Sequence, residues 1–165
     1  MKICQLCAVD FTLKRLIIPL VDAQLNQGHF VKSVCSFGGH LDDLKRKGYK
    51  IEVIPIERNL SPVKGLVSIW RLFLFFRRES FDVVHVHTPV AAFLARIAAF
   101  FARVPLVVYT AHGFYFHDEM PALKRLIFIS AEIAMRPLTD LLFTQSQEDA
   151  VNAASLKIMN KKRIF

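Results

Sequence analysis

Histidine is the side chain best suited to proton transfer near neutral pH. Four of the six histidines in this sequence, His85, His87, His112 and His117, crowd between positions 85 and 117. His85 and His87 are two apart in an apolar, β-branched stretch, so on a strand they face the same side. His85 reads as a hydrogen-bonded core residue. His87, at the strand's end, stands between a site and a structural role. His112 is followed by Gly113, which permits a tight turn that exposes the imidazole, and a functional role is favoured over a loop cap. A zinc site built from His85, His87 and His112 would need a ligand spacing that the sequence does not carry, and no metal is expected. Phe114, Tyr115 and Phe116 are consecutive, so they cannot all face one core. Some of them are expected at the surface or against a partner.

Other reactive types are less promising. Three cysteines, Cys4, Cys7 and Cys35, are too few and too odd for a disulfide framework. Cys4 and Cys7 form a C-x-x-C inside an apolar, strand-like run, whereas a redox pair belongs at a helix start. They read as buried free thiols. The sequence has no G-x-G-x-x-G after its first strand, no G-x-x-x-x-G-K-[ST] and no G-x-S-x-G. A dinucleotide dehydrogenase, a P-loop enzyme or an α/β-hydrolase is therefore not expected, despite the strand pattern.

The elements that must position these residues follow from the apolar runs. Strands are predicted at Lys2–Ala8, Phe30–Ser36, Lys50–Ile56, Asp82–His87, Leu106–Thr110 and Leu141–Thr144. Asp10 or Thr12 caps a helix to about Gln27, stopped by Gly28. Pro19 inside it implies a kink or a late start. Gly38-Gly39 opens a short helix to Lys47, and Ser61-Pro62 opens one to Glu79. Further helices are predicted at Pro89–Arg103 and Met120–Arg136, and Ser146 caps a last one to about Leu156. Strands spaced by helices mean right-handed βαβ units and a parallel sheet covered on both faces. The prediction is an α/β, Rossmann-like doubly wound sheet of about six strands in the order 3-2-1-4-5-6. Ligands then sit at the carboxyl ends of strands one, four and five. Those ends carry Val9, Asp10, Phe11 and Thr12 with Lys14 and Arg15, then His87, Thr88 and Pro89, then Thr110 through Glu119.

The chain has 165 residues, enough for one domain with a sizeable core. Its net charge of +8, from 22 Lys+Arg and 14 Asp+Glu, points to an anionic partner. Fifteen Phe and a mean hydropathy of +0.35 are high for a protein alone in water. The start has no secretory signal pattern. The most apolar stretch, from 89 to 108, is broken by Arg96, Arg103 and Pro105, so no spanning helix is expected. On a helical wheel the apolar residues between Leu66 and Glu79 cover more than half the circle, and Phe75 falls on the polar side beside Ser68, Arg71 and Arg78. That surplus suits either a lipid interface or another domain or subunit. The helix from Pro89 is mostly core, with Arg96 and Arg103 on a solvated face. The basic clusters are dispersed and not interleaved with aromatics, so nucleic acid is not the expected partner.

Phe-Asp-Val-Val-His-Val-His-Thr-Pro from Phe81 and Val-Val-Tyr-Thr-Ala-His-Gly-Phe-Tyr-Phe-His-Asp-Glu-Met-Pro from Val107 resemble the amino-terminal half of bacterial family 4 glycosyltransferases. Val9-Asp10-Phe11-Thr12, Gly28-His29-Phe30-Val31 and Asp140-Leu141-Leu142-Phe143-Thr144-Gln145-Ser146 fit the same pattern, so the likeness covers essentially the whole chain. The family's members are retaining GT-B enzymes that build capsular and exopolysaccharides. The resemblance implies that residues 1–165 are one acceptor-side domain that leans on an anionic membrane surface at Trp70, Phe75, Phe76, Arg77 and Arg78. It implies a catalytic His112 at the interdomain cleft. It also implies an acceptor site at Asp10, Phe11, Thr12, His87, Thr88, Gly113, Phe114 and Tyr115, for a lipid-linked or saccharide acceptor. No cofactor is expected in this domain. A nucleotide-sugar donor is expected on a carboxy-terminal domain, in the same or a separate chain, which begins about where this sequence ends. Many members carry Gly-Gly after the first strand to approach donor phosphates, and here Asp10-Phe11-Thr12 stands instead. The expected place is cytoplasmic, peripheral on the inner face of the plasma membrane, and the chain alone is expected to be inactive. The alternative is a non-enzymatic, membrane-docked partner of a separate donor-binding chain.

Overall fold

The computed structural model describes residues 1–56, 61–117 and 119–165, so Asp118 of the predicted site edge lies outside the described residues. Six strands, β1 (Lys2–Leu6), β2 (Phe30–Cys35), β3 (Ile51–Val53), β4 (Val83–His87), β5 (Leu106–Ala111) and β6 (Leu141–Thr144), form one sheet in the order β3-β2-β1-β4-β5-β6. Every pairing is parallel, and this is the predicted doubly wound order. The order reverses between β1 and β4, where Ile3 stands opposite Val83 and Leu6 opposite Val86. Beyond β6, Ile164 forms a parallel bridge with Leu142.

Strand alternation divides the core in two. Cys4, Leu6, Val84, Val86, Val107, Tyr109 and Leu142 join the larger cluster with α4 (Pro62–Glu79), α5 (Pro89–Ala102), α6 (Ala122–Met135) and α7 (Gln147–Ser155). Ile3, Cys7, Val31, Val83 and Val108 face the smaller cluster, which holds Leu13, Ile17, Val21, Leu41 and Leu44. The three thiols are free and buried, and burial raises each of them above the ordinary cysteine range.

Pro19 is accommodated by a late helix start. The first helical segment, α1 (Asp10–Thr12), passes through a π-helical turn at Leu13–Ile17 before α2 (Ile18–Asn26) begins. Proline then falls in the first turn of α2, where its missing N–H is no loss. The short helix after β2, α3 (Leu41–Arg46), starts at Leu41 rather than at Gly38-Gly39. Ser146 caps α7 as expected, accepting the Asp149 N–H.

Two expectations about helix faces fail. Phe75 and Phe76 are only 3% and 1% exposed, so neither is available to a membrane. The sector of α4 that looked polar faces the loop after β3. Ser68 donates its hydroxyl to the Pro55 carbonyl, and Ile54 and Ile56 are buried there. Phe75 packs on Phe76 and Phe81, with the cations of Lys32 and Arg78 over its ring. Arg96 is not solvated either. It is 2% exposed, its Nη2 lies 2.9 Å from Glu132 Oε2, and its guanidinium sits over the Tyr109 ring.

Candidate functional site

The carboxyl edge of the sheet gathers polar side chains where an α/β sheet binds its ligands. Strands β1, β4 and β5 place Gln5, His85, His87 and Thr110 on one face by their shared parity and register, Gln5 opposite His85 and His87 opposite Thr110. His112 follows just past the end of β5. Gln5 is wholly buried, and its Oε1 lies 2.8 Å from His87 Nε2. His87 Nδ1 lies 3.0 Å from His112 Nε2, with the two rings stacked. His85 reaches Thr110 Oγ1 at 2.7 Å and Gln5 Nε2 at 3.3 Å. Gln5 Nε2 also donates to Gln24 Oε1 on α2 at 3.0 Å.

Burial, reinforced by the neighbouring imidazoles, depresses both strand histidines. His85 is pushed down to about 4, first by burial and then by His112. His87 falls well below the ordinary value of 6.5, by burial first and then by His85 and His112. Both are therefore neutral at physiological pH. Among the described residues, no group of three or more His, Cys, Asp or Glu is arranged to hold a metal ion.

Two buried polar atoms at this edge, His112 Nδ1 and Thr88 Oγ1, have no hydrogen-bond partner among the described residues. Such atoms are costly unless something meets them. Thr88 also has φ +66°, a value a β-branched residue rarely adopts, at the junction of β4 and α5. Gly113 has φ +111°, so the turn that carries His112 does require glycine. Of the aromatic triplet, Phe116 is buried, Phe114 half-buried on the Phe116 ring, and Tyr115 is 53% exposed.

Asp10 is buried and works inward. Its carboxylate accepts the Phe11 N–H at 2.8 Å and the His40 N–H at 2.7 Å, tying the helix start to the loop after β2. A Cβ on Gly38 would fall 2.1 Å from the Asp10 Cγ, so glycine makes room for this clasp. The carboxylate already occupies the start of the helix, where an incoming anion would otherwise find free N–H groups. Phe11 and Phe37 stand exposed beside it, and the half-exposed Thr12 adjoins them. Sequence reasoning missed Gln5, Gly38, Phe37 and His40. A lone amide in the apolar strand Lys2–Leu6, in phase with the histidines, was the available signal for Gln5.

The comparisons with known proteins agree with this architecture. The model of Glycosyltransferase Family 4 matches residues 14–164. The chain is 31% identical over 125 residues to the Escherichia coli UDP-Gal:alpha-D-GlcNAc-diphosphoundecaprenol alpha-1,3-galactosyltransferase, covering 75% of this chain and 32% of that protein. It is 37% identical over 106 residues to the putative glycosyltransferase EpsD of Bacillus subtilis, covering 63% of this chain and 28% of EpsD. The chain thus spans about a third of the length of the curated relatives it matches. Among solved structures, Anabaena HepE in complex with UDP and glucose superposes with a TM-score of 0.74 at 15% identity, over 100% of this chain and 43% of HepE. That likeness is one of fold, a Rossmann-like sheet of the GT-B kind. By the match over 14–164, this chain belongs to glycosyltransferase family 4.

Proposed function

We propose that residues 1–165 form the acceptor-side domain of a retaining GT-B glycosyltransferase of surface-polysaccharide synthesis. A further domain, in the same or a separate chain, brings the nucleotide-sugar. The observation that carries the reading is the polar edge itself. His112 Nδ1 and Thr88 Oγ1 are buried without partners among the described residues at the switch-point edge of the sheet, which suits a hydroxyl-rich ligand. The acceptor site comprises Phe11, Thr12, His87, Thr88, Gly113, Phe114 and Tyr115, with Asp10 holding the loop in shape. His112 meets the reacting sugar. The leaving diphosphate is stabilised by cationic groups and helix N-termini, mostly on the second domain. Alone, this chain binds acceptor and transfers nothing.

The membrane contact in this proposal is redrawn on α4. Val63, Leu66, Val67, Trp70 and Leu74 recur at helical spacing and are all exposed, opposite the buried Leu72 and Phe76. Arg71 and Arg78 border that stripe and Arg77 lies within it. An apolar stripe with cations alongside suits the cytoplasmic face of an anionic bilayer, with the protein peripheral. No described helix is long and apolar enough to cross a membrane.

The test uses the chain as it stands. It is expected to bind undecaprenyl-diphosphate-linked sugar saturably, to lose that binding in Thr88→Val with His112→Ala, and to release no nucleoside diphosphate from nucleotide-sugars. Turnover by the chain alone, or no acceptor binding by the folded protein, would overturn the reading.

A further inference from the structure

The wholly buried Gln5 stands one histidine away from the candidate site, at the far end of a chain of hydrogen bonds with a definite polarity. Its Oε1 can only accept, so the proton between Gln5 and His87, 2.8 Å apart, belongs to His87 Nε2. A neutral imidazole carries a single proton. His87 Nδ1 is therefore a bare lone pair. His112 Nε2, 3.0 Å from that lone pair, has to donate to it. In its neutral form His112 then holds its proton on Nε2 and leaves Nδ1 unprotonated. Nδ1 is the buried atom of this ring that has no partner among the described residues.

The other end of Gln5 supports the same polarity. Its Nε2 donates to Gln24 Oε1 at 3.0 Å and meets His85 Nδ1 at 3.3 Å. His85 Nδ1 is thereby an acceptor, and its proton sits on Nε2, directed at Thr110 Oγ1, 2.7 Å away. One amide on β1 thus sets the tautomers of both strand histidines, and through His87 that of His112. Burial keeps His87 neutral, as the chain of single protons requires.

We infer that Gln5 and His87 are positioning residues that hold His112 as a hydrogen-bond acceptor at Nδ1, so that the site selects a ligand presenting a hydroxyl donor there. The inference rests on the proposed reading that His112 belongs to the ligand site. Thr88 Oγ1, also buried and unpartnered among the described residues, can donate or accept, and it follows β4 as His112 follows the adjacent β5. A polyol offering one hydroxyl to each atom meets both needs. A carboxylate or phosphate oxygen, which only accepts, would face the Nδ1 lone pair with its own.

The experiment is long-range proton–nitrogen NMR on the 15N-labelled chain at neutral pH, which reads the tautomer of each imidazole without reference to activity. In the wild type, His85, His87 and His112 are each expected as the single Nε2–H tautomer. In Gln5→Leu, His112 is expected to lose that single state, its two nitrogen shifts moving towards each other as the tautomers mix. Gln24→Ala, at a half-buried helix position, frees the Gln5 amide to rotate and is expected to cause a smaller shift in the same direction. A wild-type His112 carrying its proton on Nδ1 would overturn the proposal. So would a pure Nε2–H tautomer retained in folded Gln5→Leu. If Gln5→Leu does not fold, the wild-type tautomer and the response of Gln24→Ala decide it. Loss of acceptor binding with the tautomers as stated would instead count against the proposed function alone.

Discussion

Helices α4 and α5 lie side by side over the same face of the sheet, close enough that Gly65 of α4 approaches Leu94 of α5. Both are rich in apolar residues, yet they end differently. α5 sits between α4 and α6 and is buried over most of its length, alanines and Arg96 included, with Phe100 and Phe101 exposed only at its carboxyl end. α4 buries Leu72, Phe75 and Phe76 and leaves a second apolar stripe, from Val63 to Leu74, in the open. What separates them is position in the layer rather than composition. A helix in the middle of a layer must satisfy even its arginine internally, and Arg96 does so with Glu132, Thr139, the Ala92 carbonyl and the Tyr109 ring. A helix at the side of the layer can keep a face for something else.

The comparison breaks most visibly at the buried charge. Glu132→Leu leaves the Arg96 guanidinium buried and uncompensated, and a loss of about 3–5 kcal/mol is expected in urea unfolding. On α4, the exposed Arg77→Gln is expected to stay within about 0.5 kcal/mol. Phe76→Ala, on the buried stripe, is expected to cost about 3–5 kcal/mol. An Arg96 pair as tolerant of mutation as Arg77 would show that α5 is not held as described.

A pH series is expected to separate the sheet edge from the ion pairs that Glu79, at the end of α4, makes with Lys2 and Lys32. His85 and His87 have folded values below the ordinary 6.5, so the unfolded chain takes up their protons first. Stability is therefore full above pH 6.5 and falls as the pH drops from there, with the His85 contribution complete near its folded value of about 4. Glu79 is held down to about 2, first by its hydrogen bond to Lys32 and then by that to Lys2. Its contribution is present above the ordinary 4.5 and is lost as the pH falls towards about 2. His85→Gln should flatten the upper part of a thermal-melt profile and Glu79→Gln the lower part. A profile that is flat between pH 6.5 and 4 in the wild type would contradict the buried, neutral histidines.

The alternation of β-branched runs with capped helices made the sheet order readable, because a strand rise and a helix turn impose different periods on burial. Ser61-Pro62 and Ser146 marked helix starts through local chemistry, and both hold. The reading failed where burial is decided by elements distant in sequence. Phe75 looked polar-sided because its wheel neighbours are Ser68, Arg71 and Arg78, but the loop after β3 covers that sector. Arg96 looked solvated because Glu132, its partner, lies on another helix. At the site, His87, His112 and the Gly113 turn were legible from type and spacing, and the structure brings those two histidines together. Gln5 was not, because its partners His85 and His87 lie about 80 residues away and only the β1–β4 register aligns them.

The mildest expected effect on stability is also the sharpest test of the two stripes of α4. Leu66→Ser with Trp70→Ser removes apolar surface from the exposed face of the helix, where Trp70 is 60% exposed and stacks on the half-buried Phe73. Urea stability should move by no more than about 0.5 kcal/mol per site. Sedimentation with vesicles containing anionic lipid should nevertheless be lost, while wild type sediments and is released by high salt. Charge reversal at Arg71 and Arg77 should weaken binding to anionic vesicles, leaving the fold intact. Binding that survives the loss of Leu66 and Trp70 would assign the stripe to a protein partner, because a bilayer needs that inserted apolar area and a complementary protein surface can use the rest of the helix.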